Sequence, residues 1–309
     1  GMSNLARADG SPKYSMTCML IGAVINTILD PIFIFVFHLG VAGAAWATII
    51  GQFCSFIAAV LYIRKFKSVE IKGKDIRLIP KECGKTASLG MSNSLNQLAI
   101  TFVQIVLNNS LTFYGADSAY GMEIPLAACG IVMKTNAILL AFVIGISQGS
   151  QPIIGFNYGA KQYGRVRQTY KLAIGANLAI SAVGFILFQF FPYQIISLFG
   201  TGDQLYFEFA VRFMRIFLFM VIANGVQVIS SNFFSAIGKP VKGLVLSMTR
   251  QVIFLIPFIL ILPLFMGLDG ILYAGPAADT IAFITTVILI RREMQQMKKL
   301  QQQNLETDH

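Results

Sequence analysis

Long apolar stretches dominate this chain and place it in a lipid bilayer. A helix that crosses the hydrocarbon core needs about 20 apolar residues, and hydropathy indicates about eight stretches of that length. A transmembrane β-barrel would instead show alternating segments of about ten residues, whereas these stretches are apolar on every face. We therefore expect an all-α polytopic membrane protein. The stretches run approximately over residues 15–37, 42–63, 87–113, 124–146, 172–191, 207–233, 244–265 and 270–290.

Composition excludes an ordinary soluble domain. Hydrophobic residues make up 55% of the 309 positions and charged residues only 12%, against about 25% charged residues in soluble proteins. The sequence has no phosphate-binding loop of the Walker type and no nucleophile or metal-ligand constellation. We therefore expect no cofactor and no enzymatic activity.

The net charge of +10 reflects membrane orientation and does not indicate a nucleic-acid partner. All but four of the 24 Lys and Arg residues lie before Ser15, within 64–86, 152–171 or 235–243, or after Ile290, which are alternate connections between the spans. The connections around Asp117 and Asp203 contain none. This asymmetry predicts a multi-pass protein of the plasma or inner membrane with both termini in the cytoplasm.

Residues 3–65 recur as residues 231–292. Gly10-Ser11-Pro12 corresponds to Gly238-Lys239-Pro240, and Gly40 through Gly43 corresponds to Gly267 through Gly270. Each copy encodes a helical hairpin, and internal repeats of this kind are common in transporters. The spans between the copies make the repeat unit six helices. We therefore expect the halves to share one orientation and about four helices to be missing at the N-terminus.

This count predicts four segments. Residues 1–63 would be the last two helices of an incomplete N-terminal lobe, and residues 64–86 a basic cytoplasmic linker near anionic lipid. Residues 87–290 would form a six-helix C-terminal lobe. Residues 291–309 would be a cytoplasmic tail that extends the last helix.

Asp30 is the first candidate for a functional residue, because an ionisable group within a span costs at least about 2.5 kcal/mol. Asn26 precedes it by one helical turn and lies on the same face. Pro31 cannot donate to the carbonyl of Thr27, so a kink should free that oxygen. Such oxygen ligands suit a small cation, and a protonated carboxyl would instead carry a proton. The alternative is that Asp30 and Pro31 cap and begin a helix.

Other polar residues within the spans admit structural explanations. Glu208 and Arg212 have the spacing of a helical ion pair, and Asp279 could pair with Arg250 on the preceding span. Lys134 could line a polar cavity or serve in interhelical packing. Four residues remain as weak candidates for a substrate cavity, with packing as the alternative for the amides: Lys134, Asn93, Gln97 and Asn224.

Several segments resemble the multidrug and toxic compound extrusion (MATE) transporters. They are NLARADGSPKY at 4–14, NTILDP at 26–31, GAAWAT at 43–48 and GISQGSQPIIGFNYGAK at 145–161. The resemblance implies a twelve-helix, two-lobed antiporter that exports organic cations or drugs in exchange for Na⁺ or H⁺. It also implies that Asn26, Asp30 and Thr48 form the cation-coupling site, with Na⁺ as one occupant.

The family's acidic partner on its first helix is missing from this sequence, so we expect that the chain cannot transport by itself. We expect it to act as a monomer in the bilayer, with small organic cations as substrates. A lipid-linked oligosaccharide flippase of similar architecture is the nearest alternative, and it would need many Arg and Lys residues in its cavity. An integral membrane enzyme is a more distant alternative.

Overall fold

The structure is a computed structural model that describes residues 2–62, 79–200 and 202–307. Helices fill these ranges, and no strand occurs within them. The helices are α1 Met2–Ala8, α2 Pro12–Pro31, α3 Gly40–Leu61, α4 Pro80–Ala116, α5 Glu123–Gly159, α6 Tyr163–Phe190, α7 Pro192–Ser197, α8 Gln204–Phe217, α9 Val221–Ala236, α10 Pro240–Met248, α11 Ile256–Met266 and α12 Leu268–Thr307.

Seven spans in the described ranges are long and apolar enough to cross a membrane, and a bent pair of helices provides an eighth. This confirms the predicted fold class. The predicted linker at 64–86 lies mostly outside the described residues. The chain divides into two compact units, Gly1–Pro80 and Lys81–His309.

The predicted span over 207–233 is wrong as a single helix. Helices α8 and α9 meet at a bend of 50°, and residues 218–220 form a turn. Neither Pro nor Gly lies in this turn, so the sequence carries no local signal for it. Tertiary packing supplies a reason, since a Cβ at Gly275 of α12 would lie 3.1 Å from the carbonyl oxygen of Phe217. The end of α8 is thus fitted closely against α12.

The repeat in the sequence appears in the backbone. Gly10 and Gly238 have φ values of 78° and 74°, and Gly40 and Gly267 have φ values of 54° and 58°. Left-handed backbone of this kind favours glycine, which has no Cβ. Both hairpins therefore enter and turn through the same backbone conformations.

The second unit packs around two apolar clusters. One centres on the buried aromatic side chains of α8, including Phe209 and Phe213. The other joins α6, α9 and the far end of α12, where Phe233 and Met297 are buried. The predicted tail is a continuation of α12, and burial of Glu293 and Met297 holds its first turns against the bundle.

Candidate cation-coupling site

Two glycines hold α2 and α3 together in the first unit. A Cβ at Gly51 would lie 2.7 Å from the carbonyl oxygen of Gly22 and 3.2 Å from the Cβ of Asn26. Small residues allow membrane helices to approach closely, because apolar side chains gain no hydrophobic advantage over lipid. Ser55 adds a hydrogen bond of 2.8 Å to the carbonyl of Cys18. This contact fixes α3 beside Asn26.

A second close approach lies toward the other end of the hairpin. A Cβ at Gly43 would lie 2.9 Å from the carbonyl carbon of Phe33. Phe33 belongs to a π-helical turn, Ile32–Val36, that follows Pro31 directly. The Leu39 N–H donates to the carbonyl of Phe33 at 3.0 Å and closes the connection. The stretch from Asn26 to Asp30 therefore lies between two fixed contacts.

Asn26, Asp30 and Thr48 meet between these contacts. The Asn26 amide nitrogen donates to Asp30 Oδ1 at 3.3 Å and to Thr48 Oγ1 at 3.3 Å. The Thr48 hydroxyl donates to the Ala44 carbonyl at 2.9 Å. Asn26 and Asp30 are half-buried and Thr48 is exposed. The structure thus brings together the three residues that the sequence singled out.

Helix α2 is continuous through Asp30 and Pro31. The alternative in which these two residues cap and begin a helix is therefore wrong. Pro31 has no N–H to offer the Thr27 carbonyl, so the helical hydrogen bond is lost there. The π-helical turn after Pro31 absorbs this defect without breaking the span, as such turns commonly do at functional positions.

The donor set suits a small monovalent cation or a proton. It offers the carboxylate of Asp30, the hydroxyl of Thr48 and the amide of Asn26. In the present arrangement the amide nitrogen stands between the two oxygens, and rotation of the amide would present its oxygen instead. Within the described ranges no three His, Cys, Asp or Glu side chains come together. A site with one carboxylate matches a single positive charge better than a divalent ion.

Asp30 has no ion-pair partner in the described part of the chain. Its one recorded side-chain contact is the Asn26 amide. A carboxylate within a span that has only a neutral neighbour is available for an exchangeable charge. This separates Asp30 from Asp269, Asp279 and Glu293 of the second unit, which have basic partners.

The weak cavity candidates lie on different helices, as far as the structure describes them. Lys134 is exposed on α5, and Gln97 is exposed on α4. Asn224 is 6% exposed on α9, and the side chain of Asn93 lies outside the described residues. Neighbouring amides tie helices together, as Gln227 does by donating to the Leu246 carbonyl at 2.8 Å. Packing therefore accounts for that amide, and a substrate role for the four candidates remains a prediction.

Of the two ion pairs predicted within the spans, one is confirmed and the other is wrong. Arg250 pairs with Asp279, as predicted, and the two side chains are only 13% and 4% exposed. Arg212 pairs with Asp269 at 2.7 Å, and Glu208 instead accepts a long hydrogen bond from the Tyr120 hydroxyl at 3.5 Å. Asp269 in the first turn of α12 therefore pairs with Arg212 in place of Glu208, its neighbour on α8.

Sequence reasoning missed a charged cluster between the start of α10 and the second half of α12. The buried carboxylate of Glu293 accepts from Lys239 and, at 2.8 Å, from Lys242. Burial lowers the pKa of Lys239, but the hydrogen bond and charge of Glu293 raise it overall. The signal in the sequence was Glu293 directly after Arg291 and Arg292, and continuation of the last helix through these residues would have pointed to it.

The sequence is similar to known multidrug export proteins. The MatE family model matches residues 95–261. The multidrug export protein MepA of Staphylococcus aureus (strain N315) is 26% identical over 290 residues, which cover 94% of this chain. MepA of Staphylococcus haemolyticus is 25% identical over the same length. The chain spans 62% of the length of these relatives.

Solved structures share the fold. A MOP superfamily transporter from Pyrococcus furiosus superposes with a TM-score of 0.86 at 22% identity, over 96% of this chain and 66% of that one. An outward-facing multidrug resistance MATE family transporter of the same superfamily gives 0.85 at 22% identity, with the same coverage. At these identities the likeness establishes the helical architecture.

Proposed function

Because the chain belongs to the MatE family, we propose that it acts within a secondary active exporter of organic cations or drugs. An inward-moving Na⁺ or H⁺ would drive export by alternating access of two lobes. Similarity to MepA, a multidrug export protein, supports this class of substrate. The family is one of transporters, which agrees with the expectation that the chain is not an enzyme.

The observation that carries the proposal is the contact of Asn26 with Asp30 and Thr48. A cation bound to these oxygens would displace the amide nitrogen from between them. The new ligands would draw α2 and α3 together at a point where only long hydrogen bonds now connect them. An ion drives a conformational change only if it binds the two states with different affinity, and this rearrangement supplies such a difference.

The basic residues favour an exporter over a flippase. Of the four basic residues outside the cytoplasmic segments, Arg212 and Arg250 are neutralised by Asp269 and Asp279. A cavity that holds a lipid diphosphate needs several uncompensated cations. The low free positive charge among these four residues supports an exporter over a flippase.

Efflux of a fluorescent organic cation tests the proposal, in cells that express this chain as part of a two-lobed transporter of the length of its relatives. We expect Asp30→Asn to abolish ion-driven efflux and Thr48→Ala to weaken it. Asp117→Asn provides the matched control, because Asp117 is an exposed carboxylate in the connection before α5. Equal efflux by the parent and Asp30→Asn proteins would refute the role of Asp30.

The coupling ion is identified in reconstituted vesicles that contain the same two-lobed transporter. A sodium gradient at constant pH and a pH gradient without sodium are applied separately. If Na⁺ is the coupling ion, only the first gradient drives uptake of the dye, and Asn26→Ala should raise the sodium concentration needed. If H⁺ is the coupling ion, only the second gradient drives uptake, and Asn26→Ala should reduce uptake less than Asp30→Asn does.

A further inference from the structure

A cavity of about 480 Å³ borders α8 in the second unit. Its lining includes Tyr193 from α7 and Gln204, Phe207, Glu208, Arg212 and Arg215 from α8. This volume lies within the range of small-ligand pockets, about 300 to 1,000 Å³. The lining combines aromatic and aliphatic surface with charged groups, which suits an amphiphilic ligand.

The charges in the cavity follow one face of α8. Glu208, Arg212 and Arg215 are spaced by four and three residues, which places them on the same side of the helix. Arg212 is paired with Asp269 at 2.7 Å. No carboxylate pairs with Arg215 in the part of the chain that the structure describes. The face therefore contains one acidic group and one uncompensated guanidinium, about two helical turns apart.

Arg215 is also on the unexpected side of the membrane. The basic residues elsewhere predict that α8 starts at the outer surface, and Arg215 lies one helical turn beyond Arg212, which pairs with Asp269 in the first turn of α12. An uncompensated cation within a span is costly unless it meets an anion or water. The phosphate layer of the outer leaflet supplies such an anion beside the apolar surface of Phe207.

We propose that this cavity binds the headgroup of an outer-leaflet phospholipid that carries both a phosphate and a primary ammonium, the phosphatidylethanolamine type. The phosphate accepts from the guanidinium of Arg215, which can donate two parallel hydrogen bonds. The ammonium lies against the carboxylate of Glu208, nearer the surface. The order of charges along α8 thus matches the order along the lipid, with the phosphate deeper than the amine.

The apolar wall favours a lipid over a soluble phosphate compound. Phe207 lies beside Tyr193 with ring centroids 4.7 Å apart, and this pair forms a surface on which an acyl chain can lie. The assignment depends on the membrane orientation and is independent of transport. Failure of the efflux experiments would leave it standing.

Native mass spectrometry of the purified chain in detergent tests the assignment with defined lipids. Dioleoyl phosphatidylethanolamine, phosphatidylglycerol and phosphatidylcholine are titrated separately. We expect the ethanolamine lipid to bind most tightly, and Arg215→Gln to weaken it about tenfold or more, since a hydrogen bond to a charged group is lost. Arg215→Lys keeps the positive charge but cannot donate two parallel hydrogen bonds, so it should give an intermediate loss of lipid affinity.

Glu208→Gln gives the more specific result. It should remove the preference for ethanolamine over choline while both lipids still bind through phosphate. Arg165→Gln is the matched control, since it removes an exposed Arg on α6 and should change nothing. If Arg215→Gln does not fold, the Arg215→Lys and Glu208→Gln variants still test whether the cavity binds the lipid headgroup.

Three outcomes would overturn the assignment. Unchanged binding in both Arg215 variants excludes the phosphate contact. Equal or tighter binding of phosphatidylglycerol by the parent chain excludes the ammonium contact. Displacement of the lipid by an equal concentration of free phosphoethanolamine would show a site for a soluble compound.

Discussion

The two repeated hairpins share a backbone but differ in their charged chemistry. In the first, Asp30 contacts only the neutral amide of Asn26. In the second, Asp279 is buried against Arg250. The repeat positions of Asn26 and Asp30 fall within the apolar stretch 253–258. Glycines at the turns and helix contacts are common to both. The two hairpins thus share their backbone geometry. The first has a carboxylate without an ion-pair partner, Asp30, whereas the carboxylate of the second, Asp279, is neutralised by Arg250.

The positions of the π-helical turns differ as well. The first hairpin has its turn after Pro31, at Ile32–Val36, and the second has its turn around Arg250, at Thr249–Leu255. Each turn lies beside the charged group of its hairpin. An extra residue in a helical turn rotates the side chains that follow it, so the turn directs the polar group without ending the span.

The largest expected effect is on the free energy of unfolding, and it should differ between Asp279 and Asp30. Asp279→Ala leaves Arg250 buried without a partner, and removal of one member of a buried pair costs about 3 to 5 kcal/mol. Asp30→Ala removes no ion pair and should cost about 1 kcal/mol or less. Unfolding in a denaturing detergent, followed by circular dichroism, measures both. Replacing Arg250 and Asp279 together by Leu should recover most of the loss, and equal losses in the single variants would contradict the comparison.

The shared glycine contacts should respond alike. A Cβ at Gly43 would meet the Phe33 carbonyl carbon at 2.9 Å, and one at Gly270 would meet the Leu262 carbonyl carbon at 2.5 Å. Overpacking of this kind costs about 1 to 3 kcal/mol, so Gly43→Ala and Gly270→Ala should both lower the melting temperature. Gly145→Ala is the control, since no atom lies within 4 Å of its Cβ position. A loss in only one hairpin would show that the contacts are not equivalent.

The stability of the second hairpin near Lys239 and Glu293 should be sensitive to pH. Glu293→Gln weakens the contacts to Lys239 and Lys242 and should cost about 1 to 2 kcal/mol. The pKa of Lys239 is raised above its ordinary 10.5, so its contribution is complete below that pH. It is lost as the pH rises through the elevated value. Melting temperatures of the parent and Glu293→Gln proteins should therefore converge at high pH, and a constant difference would argue against the ion pairs.

The smallest effect is expected at the matching end of the first hairpin. The Tyr62 hydroxyl donates to the buried Asp9 carboxylate at 2.8 Å, and its ring lies 4.7 Å from that of Tyr14. Tyr62→Phe keeps the ring contact and should cost about 1 kcal/mol. Tyr14→Phe loses a hydrogen bond of the same length, to the Ala58 carbonyl, and is the matched comparison. No loss with Tyr62→Phe would show that Asp9 has sufficient other partners.

Much of this architecture follows from the sequence because membrane insertion is governed by local properties. Hydropathy identifies spans, since the bilayer demands long apolar helices, and the arrangement of Lys and Arg predicts their orientation. The repeat placed the left-handed glycines, because few residues other than glycine adopt that conformation. Helical spacing by itself puts Asn26 on the same face as Asp30.

Tertiary structure decided what depends on neighbours that are distant in sequence. Resemblance alone suggested Thr48, and the crossing of Gly22 and Gly51 brings it to Asn26. Because Asp269 lies close to Arg212, Arg212 pairs with Asp269 and not with Glu208. The close packing of α12 against Phe217 accompanies the break between α8 and α9. Hydropathy and helical spacing report the preference of a segment for lipid and for helix, whereas ion-pair choice and helix bending are settled by which surfaces meet.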